Sequence, residues 1–363
     1  MSTPAVRPTT NENQLAMNAF TSAGQVEITV LVKALNEERH IEACLRSAQQ
    51  ALAAMPGIRG EVLLADSVST DRTVAIAAEM GVRIVQFDNA ADRSCGATLQ
   101  LGYQYALGRY LYVLDGDMQL VPEFLGRAHA YLQANPGVAG VGGRLMDTHI
   151  RTEADRKRNE YYASLRTEQV VSALGGGGLY RREAIEQVGY LSNRWLPAYE
   201  EAELAVRLQA AGYRLVRLSD PAILHSGHAE TSLQMLSRLW RSRRIDASGM
   251  FLRSALGRPW FGRAARTVWF VFAAPVVYAF AFALMAVAAI AGAPWPALVA
   301  IPLVAWCGVI GLLTWKKRNL EGALISVLSW HMNTVGALRG FLRGARDPMQ
   351  AISSRELSEQ VRG

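Results

Sequence analysis

Asp115 and Asp117 stand one residue apart in YLYVLDGDMQLVPEFL, where an apolar run from Tyr110 ends in two carboxylates. Such groups repel each other, and they are stable together when a cation lies between them or when they share a proton. An Asp-Gly turn with solvated side chains is the other chemistry this stretch permits. Asp66 closes a second apolar run, EVLLAD, in the same way. Glu200 and Glu201 open YEEAELAVRLQAAGYRL, where acids in a first helical turn are favoured by the helix dipole. Gly175 to Gly178 precede a helix start, and form either a close backbone approach to a ligand or a plain loop or strand bend. His225 and His228 follow in PAILHSGH, each a ligand candidate or an ordinary surface or core histidine.

The 363 residues suffice for one large or two ordinary domains, and 50% are hydrophobic against 19% charged. From Thr267 to Trp315 no residue is charged, enough for two membrane-spanning helices of roughly 20 to 25 residues each. The net charge of +7 is concentrated beside them: between Arg238 and Arg266 stand eight arginines and one acid, Asp246. A basic belt next to an apolar double span matches anionic lipid headgroups and not nucleic acid. Arg263 and Arg266 precede the pair and Lys316, Lys317 and Arg318 follow it, so both ends are expected on the cytoplasmic side. A third apolar piece, GALISVLSWHMNTVGALRGFL, is interrupted by His331, Asn333 and Arg339 and reads as an interfacial amphipathic helix, with a third span as the alternative. The first residues lack the charged-then-apolar pattern of a signal peptide and read as a polar tail. Cys44, Cys95 and Cys307 are far apart with no CxxC, which argues against a cysteine zinc site and a disulfide framework and fits a reducing compartment.

The elements that must position these acids alternate in type. VEITVLVKAL, EVLLAD, VRIVQFD and RYLYVLD read as strands. Between them, helical patterns follow Asn36 as a cap, follow Ser69 or Thr70 as a cap, and fill GATLQLGYQYALG. Such alternation predicts a mostly parallel α/β sheet whose ligands collect at the carboxyl ends of the strands, where Asp66 and Asp115 face one crevice. The expected division is a tail over 1–25, a catalytic domain over 26–235, a basic juxtamembrane segment over 236–266, two transmembrane helices within 267–315, and an amphipathic helix with tail over 319–363.

Four patterns then occur in one order across about residues 26 to 230: VLVKALNEERHIEACLRSA, ADSVSTDRT, ALGRYLYVLDGDMQLVPEFL, and YRREAIEQVGYL with YEEAELAVRLQAAGYRL. Together they resemble the family 2 glycosyltransferases. The resemblance implies the A-type (GT-A) fold, a Rossmann-like mostly parallel sheet, here with C-terminal transmembrane helices. It implies that a nucleotide-sugar donor binds along Ala34, Asn36, Glu37, Asp66, Ser67, Arg93, Asp115 and Gly116. Ser67 stands where many relatives carry a second acid, and Lys33 where proline is usual. Asp117, Gln119 and His225 would hold Mg²⁺ or Mn²⁺, the D-x-D-x-Q form resembling the polyprenyl-phosphate sugar transferases. Glu201 falls at the family's general-base position, with Glu200 as runner-up, and Arg181, Arg182 and Trp195 fall on the acceptor side.

The expected function is an inverting, non-processive, metal-dependent hexosyltransferase of the bacterial inner membrane. It would move one sugar to a polyprenyl phosphate or a polyprenyl-diphosphate glycan in cell-envelope or exopolysaccharide synthesis. Gln234, Arg238 and Trp240 lack the Q-x-x-R-W spacing of processive synthases. The expected partners are the donor, the lipid-linked acceptor and the membrane, with room for a homo-oligomer and none for nucleic acid. The alternative reading is a catalytically inactive nucleotide-sugar-binding subunit of a membrane complex, which Ser67 and the Glu-for-Asp change at 201 keep open.

Overall fold

The first apolar run folds as β1 (Ile28–Ala34), and its alternation supplies both faces of the sheet. Val30 and Val32 pack to one side and Leu31 to the other, all fully buried. The computed structural model describes residues 26–150, 153–226 and 230–357, so the expected tail over 1–25 and His228 lie outside the described residues. After β1 come α1 (Ile41–Ala53), β2 (Gly60–Asp66), α2 (Thr73–Glu79), β3 (Arg83–Phe87), α3 (Cys95–Tyr105) and β4 (Tyr110–Asp115). The second half adds β5 (Met118–Leu120), α4 (Pro122–Ala134), β6 (Val138–Asp147), α5 (Glu153–Ser164), β7 (Gln169–Val170) and β8 (Gly178–Arg181). It closes with α6 (Arg182–Gln187), α7 (Glu200–Ala210) and β9 (Arg214–His225).

β2 and β4 flank β1 in parallel, with Ala34 opposite Asp66 and Lys33 opposite Asp115. The expected crevice therefore has its floor at three adjacent strand ends. β3 lies outside β2, while β8 runs antiparallel to β4 and leads on to β6, β9 and β5. Ile41, Leu45, Phe124 and Leu132 cover one face, and Leu99, Leu101, Leu204 and Leu208 the other. Burying such a side chain stabilises the fold by roughly 1.5–3 kcal/mol, so this double layer anchors the strand ends.

Two helix starts differ from the expected caps. Asn36 does not cap α1, which begins at Ile41, and α2 begins at Thr73 and not after Ser69 or Thr70. Asn36 instead takes a left-handed backbone, φ 57°, and its side chain accepts from Thr70 N–H at 2.8 Å. These polar residues knit two loops of the crevice together and so cannot cap helices.

Beyond the sheet come α8 (Ser232–Arg241), α9 (Ala247–Ala255), α10 (Phe261–Thr267), α11 (Ala273–Ile290), α12 (Trp295–Lys317) and α13 (Leu320–Leu342). Trp269–Ile290 and Trp295–Lys317 are long and apolar enough to cross a membrane. Protein buries only 17% of the first apolar window and 0% of the second, which is not how a soluble core helix is covered. Thr334 Oγ1 donates to Val271 O (2.8 Å), while Lys317 Nζ donates to Gly322 O (3.1 Å) and Ser326 Oγ (2.7 Å). His331 also meets Tyr278 at 3.1 Å and the ring of Trp306 at 4.7 Å, so α13 packs against both apolar helices.

The chain then returns to the sheet. β10 (Ser354–Glu356) pairs antiparallel with β3, and Arg83 donates to Glu356 at 2.9 Å. This closes an edge that would otherwise expose unpaired backbone. Asp246, the single acid of the basic belt, is fully buried and accepts from Arg339 and Arg343, each at 2.7 Å. Beside it α9 and α13 cross at backbone contact, because a Cβ on Gly249 would lie 1.8 Å from Ala337 O and one on Gly340 2.0 Å from Asp246 O. Gly249→Leu is therefore expected to destabilise the protein by about 1–3 kcal/mol or more, read as a lower midpoint of thermal unfolding in detergent. A midpoint equal to wild type would mean that the two helices do not pack this closely.

Candidate active site

A lysine near the end of a buried strand needs a counter-charge, and Lys33 has two. Its Nζ lies 2.6 Å from Glu200 Oε1 and 3.2 Å from Asp115 Oδ1. One ammonium thus ties the end of β4 to the first turn of α7, from opposite halves of the sheet. Burial opposes Lys33's charge, but Asp115 and Glu200 outweigh it and hold the ammonium well above 10.5. Burial likewise opposes ionisation of Glu200, and Lys33 overcomes it to hold that carboxyl below 4.5. For Asp115 burial wins over Lys33, with Asp117 adding repulsion, and its carboxyl sits above the usual range.

Glu201 differs from its neighbour. Burial, followed by Asp115 and Glu200 against the opposing pull of Lys33, pushes its carboxyl up to about 7. The backbone N–H of Gly177 donates to it, and a Cβ on Gly175 would come within 3.9 Å of Oε2. Gly175, Gly176 and Gly177 all have positive φ, at 55°, 81° and 96°, a run that only glycines adopt without strain. Just before the acids, Tyr199 is also left-handed, φ 68°, and its ring stacks on Phe251 of α9 at 6.0 Å. A non-glycine residue held there marks a constrained backbone at the start of α7.

Glu37 and Asp117 stand at the mouth. Burial first, then Asp117 and Asp115, push Glu37 up to about 7. His225 Nε2 lies 3.5 Å from Asp117 Oδ2, and Nδ1 lies 2.6 Å from Asp147 Oδ1. Arg158 holds Asp147 with two bonds of 2.8 Å. The bond to Asp117 and then that to Asp147 outweigh burial and raise His225 to about 9. These two carboxylates thus favour the imidazolium, and acting as a metal ligand requires loss of that proton. Met118 is opposite His225 and Gln119 opposite Leu224. Asp117, which meets His225, lies in the turn just ahead of this short strand, two residues before Gln119.

Among the described residues, no three His, Cys, Asp or Glu side chains converge as a preformed cation site. The donor set nevertheless fits one. Asp117 and Glu37 are oxygen ligands whose mutual repulsion raises Glu37, and excess negative charge of this kind suits a hard divalent cation.

The donor-side residues divide into cleft and scaffold. Asp66 is fully buried and accepts from Ser69 N–H at 2.9 Å, Ser69 Oγ at 2.5 Å and Gln86 Nε2 at 2.8 Å. It organises the loop rather than standing free. Ser67 Oγ pairs with Thr98 Oγ1 at 2.6 Å inside the fold, so its hydroxyl is a packing contact and not the expected nucleotide contact. Asn36 N–H donates to Ser69 Oγ at 2.9 Å, and Gly116 is pressed against Ala34 and Glu37, where a Cβ would lie 3.1 Å from each. Arg93 reaches the carbonyl of Ser67 at 3.5 Å.

Two acceptor-side expectations are overturned. Arg181 is opposite Tyr110, the first residue of β4, whereas Asp115 is its last. Strand rise puts those ends roughly 16 Å apart. Arg181 is buried, donating to Val138 O (2.9 Å) and Leu132 O, and Arg182 donates to Gly108 O (2.7 Å) and Ala106 O (2.6 Å). Both are scaffold bonds at the far end of the sheet. Trp195 does stand near α7, its indole N–H donating to Asp347 O at 2.9 Å. Sequence reading missed the pairing of Lys33 and the Asp147–Arg158 support of His225. A lone cation inside VLVKAL was the only signal for the former.

The comparisons with known proteins agree with this layout. Residues 29–189 match the family model described as glycosyl transferase family 2, and residues 111–314 that of glycosyl transferase family group 2. The second match spans more than half of the chain, which belongs to the family 2 glycosyltransferases. The chain is 27% identical over 246 residues to the low-salt glycan biosynthesis hexosyltransferase Agl6 of Haloferax volcanii, covering 63% of this chain and 56% of that protein. It is 33% identical over 97 residues to a 4,4'-diaponeurosporenoate glycosyltransferase of Staphylococcus haemolyticus, covering 26% and 24%. The chain thus spans about half or less of these relatives. Residues 1–349 of S. aureus TarS superpose with a TM-score of 0.52 at 15% identity, covering 86% and 92% of the two chains. The mannosyltransferase PcManGT of Pyrobaculum calidifontis, solved with GDP-Man and Mn²⁺, superposes at 0.52 and 19% identity, covering 84% and 87%. The fold is the A-type glycosyltransferase fold.

Lys33→Met tests the central pair. Glu200 is held below 4.5 by Lys33, so its stabilisation is present above pH 4.5 and lost as pH falls through the lowered value. Lys33 is held above 10.5, so its share is present below pH 10.5 and lost as pH rises through the raised value. The variant is expected to be less stable by about 1.5–3 kcal/mol between those limits, with the gap closing in acid. Denaturant unfolding at pH 7 and pH 3.5 measures this, and a gap independent of pH would contradict the pairing.

Proposed function

We propose that the protein is an inverting, non-processive glycosyltransferase that moves one sugar from a nucleotide-sugar donor to a membrane lipid-linked acceptor. The acceptor is a polyprenyl phosphate or a polyprenyl-diphosphate-linked glycan, in synthesis of the bacterial cell envelope or exopolysaccharide. One observation carries the reading: of two adjacent glutamates, Glu200 is held ionised by Lys33 while Glu201, cradled by Gly175 and Gly177, is raised to about 7. A general base works best when its affinity for protons is near working pH.

In this reading the donor binds over the ends of β1, β2 and β4, between the loop of Ala34, Asn36 and Glu37 and the loop held by Asp66, with Arg93 and Gly116 alongside. Asp117 would be the principal metal ligand, with Glu37 beside it and Gln119, two residues further on, completing the set. A bound Mg²⁺ or Mn²⁺ would supply charge neutralisation for the leaving nucleotide diphosphate. His225, as an imidazolium fixed by Asp147, donates towards the diphosphate. Glu201 takes the proton from the acceptor hydroxyl or phosphate as its oxygen attacks the anomeric carbon. Glu200 and Lys33 fix the approach of α7 to the donor half. Trp195 forms part of the acceptor wall. The two apolar helices span the membrane, α13 lies at its surface, and the catalytic sheet faces the cytoplasm, as the flanking cations support.

Incubation with a panel of nucleotide sugars, Mn²⁺ and vesicles bearing a polyprenyl phosphate tests the reading directly, by lipid-extractable sugar. No transfer to any lipid, together with no donor hydrolysis, would favour the inactive binding subunit. Because Glu201 must be ionised and His225 protonated, the transfer rate is expected to rise with pH through about 7 and to fall again as pH rises through about 9. Glu201→Gln is expected to lower transfer at least ~100-fold with donor binding intact. Glu37 is also raised to about 7, so it is the group to exclude; Glu37→Gln should keep the pH limb, and its loss there would reassign the titration. Asp117→Asn is expected to abolish transfer and the Mn²⁺-dependent part of donor binding, since an amide does not neutralise the cation. Wild-type metal dependence in that variant would move the metal site elsewhere.

A further inference from the structure

A cavity of about 500 Å³ lies outside the acidic crevice, between the catalytic sheet and the helices that flank the apolar hairpin. Four stretches far apart in sequence enclose it: 91–94 ahead of α3, the turn ahead of α7 with Trp195, the α9–α10 region with Arg258 and Trp260, and the segment after α13 with Arg343 and Arg346. Arg93 lines it as well and reaches Ser67 O at 3.5 Å, so the cavity adjoins the donor side of the cleft.

Its charge is one-sided. Asp92 is the sole acid of the lining and is paired with Arg194 at 3.4 Å. Of the arginines, Arg207 is paired with Glu203 at 2.7 Å and Arg343 with Asp246 at 2.7 Å. Arg258 and Arg346 have no carboxylate within ion-pair distance among the described residues. They lie instead over aromatic faces, Arg258 over Trp260 at 5.9 Å and Arg346 over Trp195 at 4.6 Å. Guanidinium groups held on aromatic rings keep their fork of donors for an anion. Met250, Leu196 and the indole rings give the wall apolar surface, and Ser94, Tyr190, Asn193 and Ser254 add polar groups. The cavity therefore offers fixed positive charge and apolar surface together, beside two helices that carry no protein cover.

We propose that this cavity binds the phosphate headgroup of a polyprenyl-phosphate-type lipid, with Arg258 and Arg346 on the phosphate and Trp195 and Trp260 against the first isoprene units. The inference rests on the lipid-acceptor reading above and names the subsite where that acceptor docks before it reaches Glu201. A membrane origin is favoured over a free anion because α9 (Met250, Ser254), the connection to α10 (Arg258, Trp260) and the segment that follows α13 (from Arg343 to Pro348) form about half of the wall, and these stretches adjoin the helices that pack on the apolar hairpin.

The full chain in vesicles of zwitterionic lipid is illuminated with a photoreactive farnesyl phosphate, without donor, and crosslinks are mapped by mass spectrometry. Crosslinks are expected within 91–94, 188–196, 250–260 and 343–348, the stretches that line the cavity. Excess farnesyl phosphate should remove them, whereas farnesol or inorganic phosphate at the same concentration should not. Arg258→Gln with Arg346→Gln should raise the probe concentration for half-maximal labelling at least ~10-fold, and the two lysine replacements should restore part of it. Wild-type labelling in the double glutamine variant would overturn the proposal, as would crosslinks confined to α11 and α12. Equal competition by inorganic phosphate would overturn the lipid assignment in favour of a free-anion site. Transfer to farnesyl phosphate, measured in the same vesicles, separates the two ideas. Arginine-dependent labelling without transfer leaves this site standing and removes the proposed acceptor. Transfer that proceeds equally in the double variant removes this site alone.

Discussion

The contact of Lys33 with Asp115 and Glu200 joins the two halves of the sheet at the carboxyl ends of β1 and β4, where the acids of the crevice gather. Its partners come from β4 and α7, and Lys33 and Glu200 are 167 residues apart. A buried ammonium is costly unless paired, and here one cation serves two carboxylates, so neither half keeps its charge stable without the other. The consequence reaches the chemistry. Glu200 and Glu201 are neighbours on one helical turn, yet one is held below its ordinary value and the other above it. Helix geometry explains this, since adjacent positions point about 100° apart, and only Glu200 meets Lys33. Glu201 turns to the Gly175–Gly177 loop, where one backbone N–H is a weaker partner than an ammonium.

The first four strands were legible because each is a continuous apolar run that ends at a polar residue, the mark of a strand buried on both faces. Their order placed Asp66 and Asp115 at one crevice before any coordinates. The second half was harder for a physical reason. β6 and β9 pair with repeated register shifts, and Gly142 and Gly143 interrupt the apolar pattern. Arg181 and Arg182 show how local chemistry misleads: two arginines before a helix suit a phosphate, but β8 runs antiparallel to β4 and so carries them to the wrong end. Ser67 failed differently, because the direction of its hydroxyl depends on Thr98 of α3, which no local pattern reveals. β10 was invisible, since Ser354-Arg355-Glu356 has no apolar alternation and becomes a strand only by pairing with β3.

The same dependence on distant partners governs how the membrane-side helices meet the site. Tyr199 immediately precedes Glu200, and its left-handed backbone is maintained by stacking on Phe251, which lies fully buried in α9. α9 in turn touches α13 at the Gly249 and Gly340 contacts, where no side chain separates the backbones. Asp246 fixes the same junction by its bonds to Arg339 and Arg343. From the apolar hairpin to the acidic pair there is thus a continuous chain of short contacts: α13 on α9, α9 on Tyr199, Tyr199 on α7.

A return path runs along the C-terminal segment. Arg194, in the turn ahead of α7, donates to Gln350 O at 2.9 Å and to Ala351 O, and Ile352 is buried in the core under β3. The segment leaves α13, passes the turn that carries Trp195, and ends as β10 on the donor half of the sheet. The acidic pair is consequently held from three directions, by Lys33 from β1, by Phe251 from the helices beneath, and by this strap from the far sheet edge. Packed contacts of this kind shift between discrete arrangements rather than bending smoothly. A molecule seated between Trp195, Trp260 and Arg346 would press on all the segments that fix α7 except β1. The cavity and the acidic pair therefore share the segments that hold α7, while Lys33 holds Glu200 from the opposite side.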